Sequence, residues 1–206
     1  MKLITISREF GSGGRELGKR LADEMGFSYY DKEIIGKIAE NLELNEQYIE
    51  SVLDRGFTVN YPYTFRRSFS TQMNALNPAT TILAEQHKII RLLAEKGDCV
   101  IVGRGAEIIL HEMRPYSVFV YADMAARIMR CRQRADADEN LSDRELERRI
   151  KQIDKARASY HSLISRIQWG DKQAYQLCVN TTGFEIADLT APIAALAEKY
   201  FERRRK

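Results

Sequence analysis

Cysteine is scarce. Only Cys99, Cys131 and Cys178 occur in 206 residues, an odd number at wide spacing. That argues against a disulfide framework or a zinc site and makes them small core residues in a reducing compartment. No apolar run approaches the length of a membrane span. The opening MKLITISREF lacks the apolar region and cleavage site of a secretory signal, so a cytoplasmic protein is expected. Neither sign of charge dominates: 32 Lys and Arg against 29 Asp and Glu leave +3. So mild a balance, with no basic stripe, makes no electrostatic case for nucleic acid. The terminal ERRRK reads as the end of a solvated helix, where cations suit the dipole. Internal repeats and low-complexity tracts are also missing. What remains, 44% hydrophobic and 30% charged, is ordinary for a globular protein, and the length suits one generous domain with a sizeable core.

Against that background four short apolar runs stand out: LITIS (3–7), CVIVG (99–103), SVFVYA (117–122) and YQLCVN (175–180), with a shorter fifth, FSYY (27–30). Nearly continuous apolar runs of this length fit strands buried on both faces. Helical spacing separates them. Leu17, Leu21, Ala22 and Met25 repeat on one face, and Gly26 ends the segment. Alternating strands and helices predict an α/β fold with a parallel sheet flanked by helices, its ligands at the carboxyl ends of the strands. From about Lys32 to Lys96 the rhythm breaks, with helical pattern but no convincing strand. The aromatic, basic stretch RGFTVNYPYTFRRSFSTQMNALNP (55–78) lies in its middle, and a break of this length between two strands predicts a functional insertion.

SREFGSGGREL (7–17) follows the first strand. Strand, glycine-rich turn, helix start is the arrangement that aims backbone N–H groups at a phosphate. Gly11, Gly13 and Gly14 let the main chain approach closely. The spacing is not G-x-G-x-x-G, which weighs against a dinucleotide site. It also departs from G-x-x-x-x-G-K-[ST], because Gly14 stands where the lysine would be and Glu16 where the hydroxyl would be. Arg15, in the first helical turn, can lean back over the phosphates, and Arg8 is a second cation. A guanidinium grips two phosphate oxygens at once. Glu16 either holds a metal through water or caps the helix dipole.

ITISREFGSGGRELGKRLADEMGFSYYDKEII resembles the opening of the cytidylate kinase-like family, a divergent branch of the P-loop nucleoside monophosphate kinases. The resemblance continues through TTILAEQHKIIRLLAEKGDCVIVGRGAEIIL, VFVYADMAARIMR, IKQIDKARASYH and WGDKQAYQLCVNTT, and so covers nearly the whole chain. It implies a P-loop kinase fold with five parallel strands, a helical monophosphate-binding insertion and a helical lid. On that division the core is 1–31, 97–140 and 170–206, the insertion 32–96 and the lid 141–169. It implies transfer of the γ-phosphoryl group of ATP, with Mg2+, to a nucleoside monophosphate such as CMP or dCMP. The partners are then small-molecule nucleotides, with no nucleic acid and no membrane, and the protein is a monomer or a homodimer.

Phosphoryl transfer requires aligned substrates and neutralised charge, so cations should converge from several segments. The ATP-binding candidates are Arg8, Gly11, Ser12, Gly13, Gly14, Arg15 and Glu16. By the resemblance, Asp31 matches an aspartate near the acceptor, and Lys32 or Lys37 meets its phosphate; the other reading makes Asp31 the N-cap of the next helix. Arg66 and Arg67, among Tyr61, Tyr63, Phe65 and Phe69, are candidates for the acceptor pocket; the other reading, preferred for most of these aromatics, is the insertion's own small core with surface charge. Arg104, in VGRG (102–105), stands where cytidylate kinases carry a similar GRD, with Gly105 in place of the aspartate. Gln86 and His87 resemble a glutamine–arginine pair of the relatives. Val102 occupies the place of a common magnesium-holding acid, so no metal ligand is assigned and Mg2+ rests on phosphates and water.

A long helix is expected from about Ser142 to Ser165, with Leu146, Ile150, Ile153, Tyr160 and Ile164 on one stripe and Arg157 among them. A cation on an apolar face snorkels or points into a polar cleft, and the lid implied by the resemblance makes Arg157 a catalytic cation. Arg15 and Lys155 join it as candidates, with Arg166 beside them, and Asp154 positions the acceptor or an arginine. Arg144, Arg148 and Lys151 share a solvated face. Trp169 reads as packing, and Asn180, Thr181 and Thr182 as either the adenine side or a helix cap. Three departures keep a second function open: no loop lysine, no loop hydroxyl, no strand acid. A catalytically weak or inactive nucleotide-binding regulatory protein fits them, as does a kinase for another small acceptor.

Overall fold

All five runs form strands. The computed structural model describes residues 1–54, 78–135 and 141–204. β1 (Leu3–Arg8), β2 (Ser28–Tyr30), β3 (Cys99–Val102), β4 (Tyr116–Tyr121) and β5 (Leu177–Asn180) make one parallel sheet in the order β2-β3-β1-β4-β5. β1 is central, in register with β3 from Leu3↔Cys99 to Ile6↔Val102 and with β4 from Ile4↔Tyr116 to Arg8↔Val120. The chain leaves β1 for β2 on one side and passes from β3 to β4 on the other. The crevice at the carboxyl ends therefore opens beside β1.

Eight α-helices among the described residues cover the sheet: α1 (Gly14–Met25), α2 (Glu33–Leu42), α3 (Glu46–Asp54), α4 (Pro78–Glu95), α5 (Ala106–Ile109), α6 (Met124–Gln133), α7 (Asp143–Ile164) and α8 (Ile186–Arg204). The period of two along the strands divides the core. Ile4, Ile6, Val100, Val102, Val118 and Val120 face α1 and α8, while Leu3, Cys99 and Ile101 face α2, α3 and α4. On the second face β1 and β4 carry a row of polar residues beside the buried Phe119. Thr5 donates to Ser117 (2.9 Å) and Ser7 to Glu107 (2.8 Å).

Helix ends obey their local chemistry. Gly26 closes α1 at φ 66°, a left-handed position that suits glycine. Ser142 and Glu145 form a capping box at the start of α7, and Ser165 terminates it, matching the expected span. Between Lys32 and Lys96 the described residues hold α2, α3 and α4 and no strand. Arg66 and Arg67, with their neighbouring aromatics, lie outside the described residues.

α1 sits tightly on the sheet. A Cβ at Gly18 would lie 2.7 Å from Val102 Cγ2 and 3.1 Å from Ile6 Cδ1. Replacing glycine by alanine inside a helix ordinarily gains about 0.5–1 kcal/mol. Here overpacking opposes the gain, so Gly18→Ala is expected to destabilise by about 1–3 kcal/mol in denaturant unfolding.

Candidate functional site

The glycine loop is formed by bonds to its carbonyls. Arg127 of α6 donates to Phe10 O (2.7 Å) and to Glu9 Oε2 (3.1 Å). Arg130, one turn on, reaches Ser12 O (3.5 Å), Thr181 Oγ1 (3.0 Å), Thr181 O (2.6 Å) and Phe184 O (3.1 Å). Thr181 Oγ1 also donates to Ser12 O at 2.7 Å. Asp154 of α7 accepts from Phe10 N (2.8 Å) and pairs with Arg127. The first intrahelical bond of α1 is Leu17 N to Gly13 O, so the amides of Gly14, Arg15 and Glu16 have no intrahelical acceptor. Gly13 (φ 86°) admits no side chain, since its Cβ would meet Ile186 Cδ1 at 2.3 Å.

Arg8 ends β1 among like charges. Its guanidinium lies over Gly103, where a Cβ would come within 1.7 Å of Nη1. Asp31 pairs with Arg15 Nε at 2.5 Å and Arg8 Nη2 at 3.7 Å. Arg157 donates to Arg8 O (2.9 Å), stands over the Phe10 ring at 5.6 Å and lies 3.6 Å from Asp154. Burial and the repulsion of Arg157, Arg104 and Arg15 lower the Arg8 pKa to about 9, with Asp31 opposing. A site that weakens an arginine's charge in this way gains when an anion enters.

Two cavities flank this cluster. The larger, about 770 Å³, opens over Asp31, Lys32, Gln86, Arg104, Lys155 and Trp169. The smaller, about 260 Å³, lies against Gly11, Gly13, Gly14 and Arg130. Arg8, Phe10, Arg15, Arg149 and Arg157 line both.

The remaining expectations sort out by geometry. Asp31 is not the cap of α2: Lys32 occupies the N-cap position without a side-chain bond, and the Asp31 carboxylate is turned to the arginines. Ser12 is buried with Oγ bonded to Glu9 O (2.8 Å), so its side chain faces inward. Glu16 pairs with Arg20 and Arg134 and lines neither cavity. Asp154 holds an arginine and the loop, and it too lines neither cavity. Gln86 lines the larger cavity while His87 does not. Trp169 packs edge-on against Phe119 at 5.4 Å and reaches the larger cavity. Thr181 braces the loop and Thr182 accepts from Asp123 N (2.9 Å) instead of capping α8.

Sequence reasoning assigned no role to Arg127, Arg130, Glu107 or His161. The i, i+3 arginines of MAARIMRCRQ could have been found as buried cations on one helix face. Glu107 and His161 are a buried acid and base, with Glu107 Oε1 and His161 Nε2 3.6 Å apart. Burial raises the Glu107 carboxyl and lowers the His161 imidazole.

For a magnesium ion the donors do not fit a protein cage. No group of three His, Cys, Asp or Glu that could hold a metal occurs among the described residues. Near the loop, Glu9, Asp31 and Glu16 are each engaged by arginines.

The cytidylate kinase-like family model matches residues 3–183. The chain belongs to this family. No curated protein matches it closely enough to count as a relative. An uncharacterized protein from Eubacterium ventriosum is 25% identical, with a TM-score of 0.69 over 96% of this chain and 99% of that one. Shikimate kinase from Bacteroides thetaiotaomicron shares the fold at 15% identity and a TM-score of 0.58, covering 96% and 98%. Shikimate kinase from Acinetobacter baumannii, in complex with shikimate, gives 13% and 0.54, covering 97% and 94%. The fold is therefore that of the P-loop kinases, and family and fold are those of kinases for nucleotides or other small molecules. Among the described residues no helix is long and apolar enough to cross a membrane.

Two variants test the site's construction. Asp154→Ala leaves Arg127 with Glu9 as its remaining carboxylate and frees Phe10 N; losing a hydrogen bond to a charged group costs about 1.5–3 kcal/mol, which unfolding measurements should show. Glu107 has a raised folded pKa, so its favourable contribution is complete below the unfolded pKa and lost as pH rises through the folded one. Glu107→Gln should therefore melt above the wild type at pH 7, with the gap closing as pH falls toward 4.5.

Proposed function

We propose that this member of the family transfers the γ-phosphoryl group of ATP to a nucleoside monophosphate, with CMP and dCMP the preferred acceptors. One observation carries the reading: two cavities meet at Arg8, Arg15 and Arg157, with a glycine-loop helix start on one side and Asp31, Lys32 and Arg104 on the other. The smaller cavity takes the ATP phosphates against the amides of α1. The larger takes the acceptor, its phosphate toward the same arginines. On this reading α2 to α4 form the acceptor side and α7 the lid.

An acceptor phosphate oxygen attacks the γ-phosphorus, the bond to the β-phosphate oxygen breaks, and ADP leaves. The step needs alignment and charge neutralisation more than covalent help. Arg15, more than half exposed, swings between Asp31 and the transferring group. Arg157, held to Arg8 O and Phe10, stays aimed between the cavities. Lys155, exposed on the same lid and lining the acceptor cavity, adds a mobile charge. Magnesium arrives with the nucleotide, held by phosphates and water.

A second reading, a nucleotide-binding regulatory protein, is favoured by the inward-turned Ser12 hydroxyl and the engaged Glu16. An assay of ADP release separates the two. Acceptor-dependent release with a panel of nucleoside monophosphates supports the kinase, and tight ATP binding without turnover supports the regulator. Arg15→Ala should lower kcat about 10²–10³-fold, the loss seen when one transition-state donor is removed, with little change in melting temperature. Full turnover by both Arg15→Ala and Arg157→Ala would overturn these roles.

A further inference from the structure

The floor of the larger cavity holds polar atoms that the protein leaves unsatisfied. Glu107, 7% exposed, accepts from Ser7 Oγ at 2.8 Å and from Tyr175 Oη at 3.5 Å, both through Oε1, while Oε2 has no partner. Gln86, fully buried, donates from Nε2 to Tyr160 Oη at 2.6 Å, and its Oε1 has no partner. That amide orientation suits its neighbour, because Tyr160 Oη in turn donates to Arg104 O at 3.3 Å. His161 is 2% exposed, and neither ring nitrogen is bonded. Glu107, Gln86 and His161 all line this cavity, as do Arg8, Arg15 and Arg104.

An unpartnered buried polar atom is costly, and a native structure rarely keeps several together without use. Two of these are acceptor oxygens on separate elements, α4 and α5. What satisfies both kinds of lone pair is a group with N–H bonds to give. A carboxylate would meet the Glu107 oxygen as a like charge, and a carbonyl would set lone pair against lone pair.

We infer that Glu107, with Gln86 and His161, reads the end of the acceptor remote from its phosphate and selects an amino group there over a carbonyl or carboxylate. The inference rests on the acceptor reading above and deepens it. The substrate is polarised: its anionic end lies at the arginines and its hydrogen-bond-donating end at Glu107. Among pyrimidine nucleotides this means a 4-amino ring over a 4-oxo ring. The residue is neither on the glycine loop nor on the lid, and it reaches the cavity only because α5 starts directly behind the end of β3.

The test compares CMP and UMP as acceptors for the full chain, by kcat/KM and by calorimetric Kd, in the wild type and in Glu107→Gln. The wild type should prefer CMP about 10–100-fold, since a site built for a hydrogen bond rejects the analogue that leaves it unpaired. Glutamine keeps the shape and adds a donor, so Glu107→Gln should narrow the ratio about tenfold by losing CMP and gaining UMP. A merely structural role would lower both acceptors alike. Equal use of CMP and UMP by the wild type, which involves no variant, overturns the assignment. So does an unchanged ratio in a folded Glu107→Gln. If neither nucleotide is bound or phosphorylated, the acceptor reading itself falls and this assignment with it.

Discussion

Positive charge concentrated at the end of β1 is the constraint on which the rest of the molecule depends. Arg8 feels Arg157, Arg104 and Arg15 as like charges; Asp31 pairs with Arg8 and Arg15, and Asp154 lies beside Arg157. Guanidiniums gathered at one strand end, partly buried, do not stabilise a fold by themselves. They are held there by structure made elsewhere: Gly103 clears room for Arg8, and α7 fixes Arg157 through the carbonyl of the strand it overlies. Such a cluster is at its best with an anion in it. This is how a glycine loop without lysine keeps an electrostatic case for phosphate, with the charge supplied from the strand end and α7.

The loop itself depends on a second set of arginines used in the opposite way. Arg127 and Arg130 direct their donors at main-chain carbonyls, at Glu9 and Asp154, and at Thr181. Their charge is consumed internally while that of Arg15 and Lys155 stays near solvent. Bonds to the carbonyls fix the loop's shape, and a loop of fixed shape presents its amides without reorganisation when a phosphate arrives. Asp154 joins the two sets, since it pairs with Arg127, lies beside Arg157 and accepts from the loop amide of Phe10. α7 and the glycine loop are therefore one hydrogen-bonded unit.

What the sequence disclosed, and what it withheld, follows from the range of the interactions. Strands buried on both faces announce themselves as apolar runs, and the ends of α1 and α7 carry local signals at Gly26, Ser142 and Ser165. Arg157 was visible because a cation broke a stripe of Leu146, Ile150 and Tyr160 that is buried. Asp31 was ambiguous because capping and ion pairing use the same carboxylate, and only the placement of Arg15 and Arg8 decides between them. Arg130 and Ser12 are 118 residues apart, and Arg127 and Asp154 belong to different helices. No spacing rule within a segment reveals such pairs. Glu107 was hidden for a related reason: at the start of a four-residue helix, an acid reads as a dipole partner until the sheet behind it is known.

Glu107 also shows why the site and the fold pull against each other. Burial disfavours its charge, and Ser7 and Tyr175 compensate at only one of its two oxygens. The same crevice holds unsatisfied atoms of Gln86 and His161. A core selected only for stability would replace these with apolar groups of similar size. On the β1–β4 half of this sheet face a polar row runs from Thr5 and Ser117 through Ser7 to Glu107 beside the buried Phe119, while the opposite face is closed by Ile4, Ile6 and Val118. Among the described residues, the buried side-chain atoms without a partner belong to residues lining this cavity, His87 Nε2 excepted. On the reading proposed above, the acceptor's far end meets α4, α5 and α7 beside the sheet, while the glycine loop and the arginines hold phosphate.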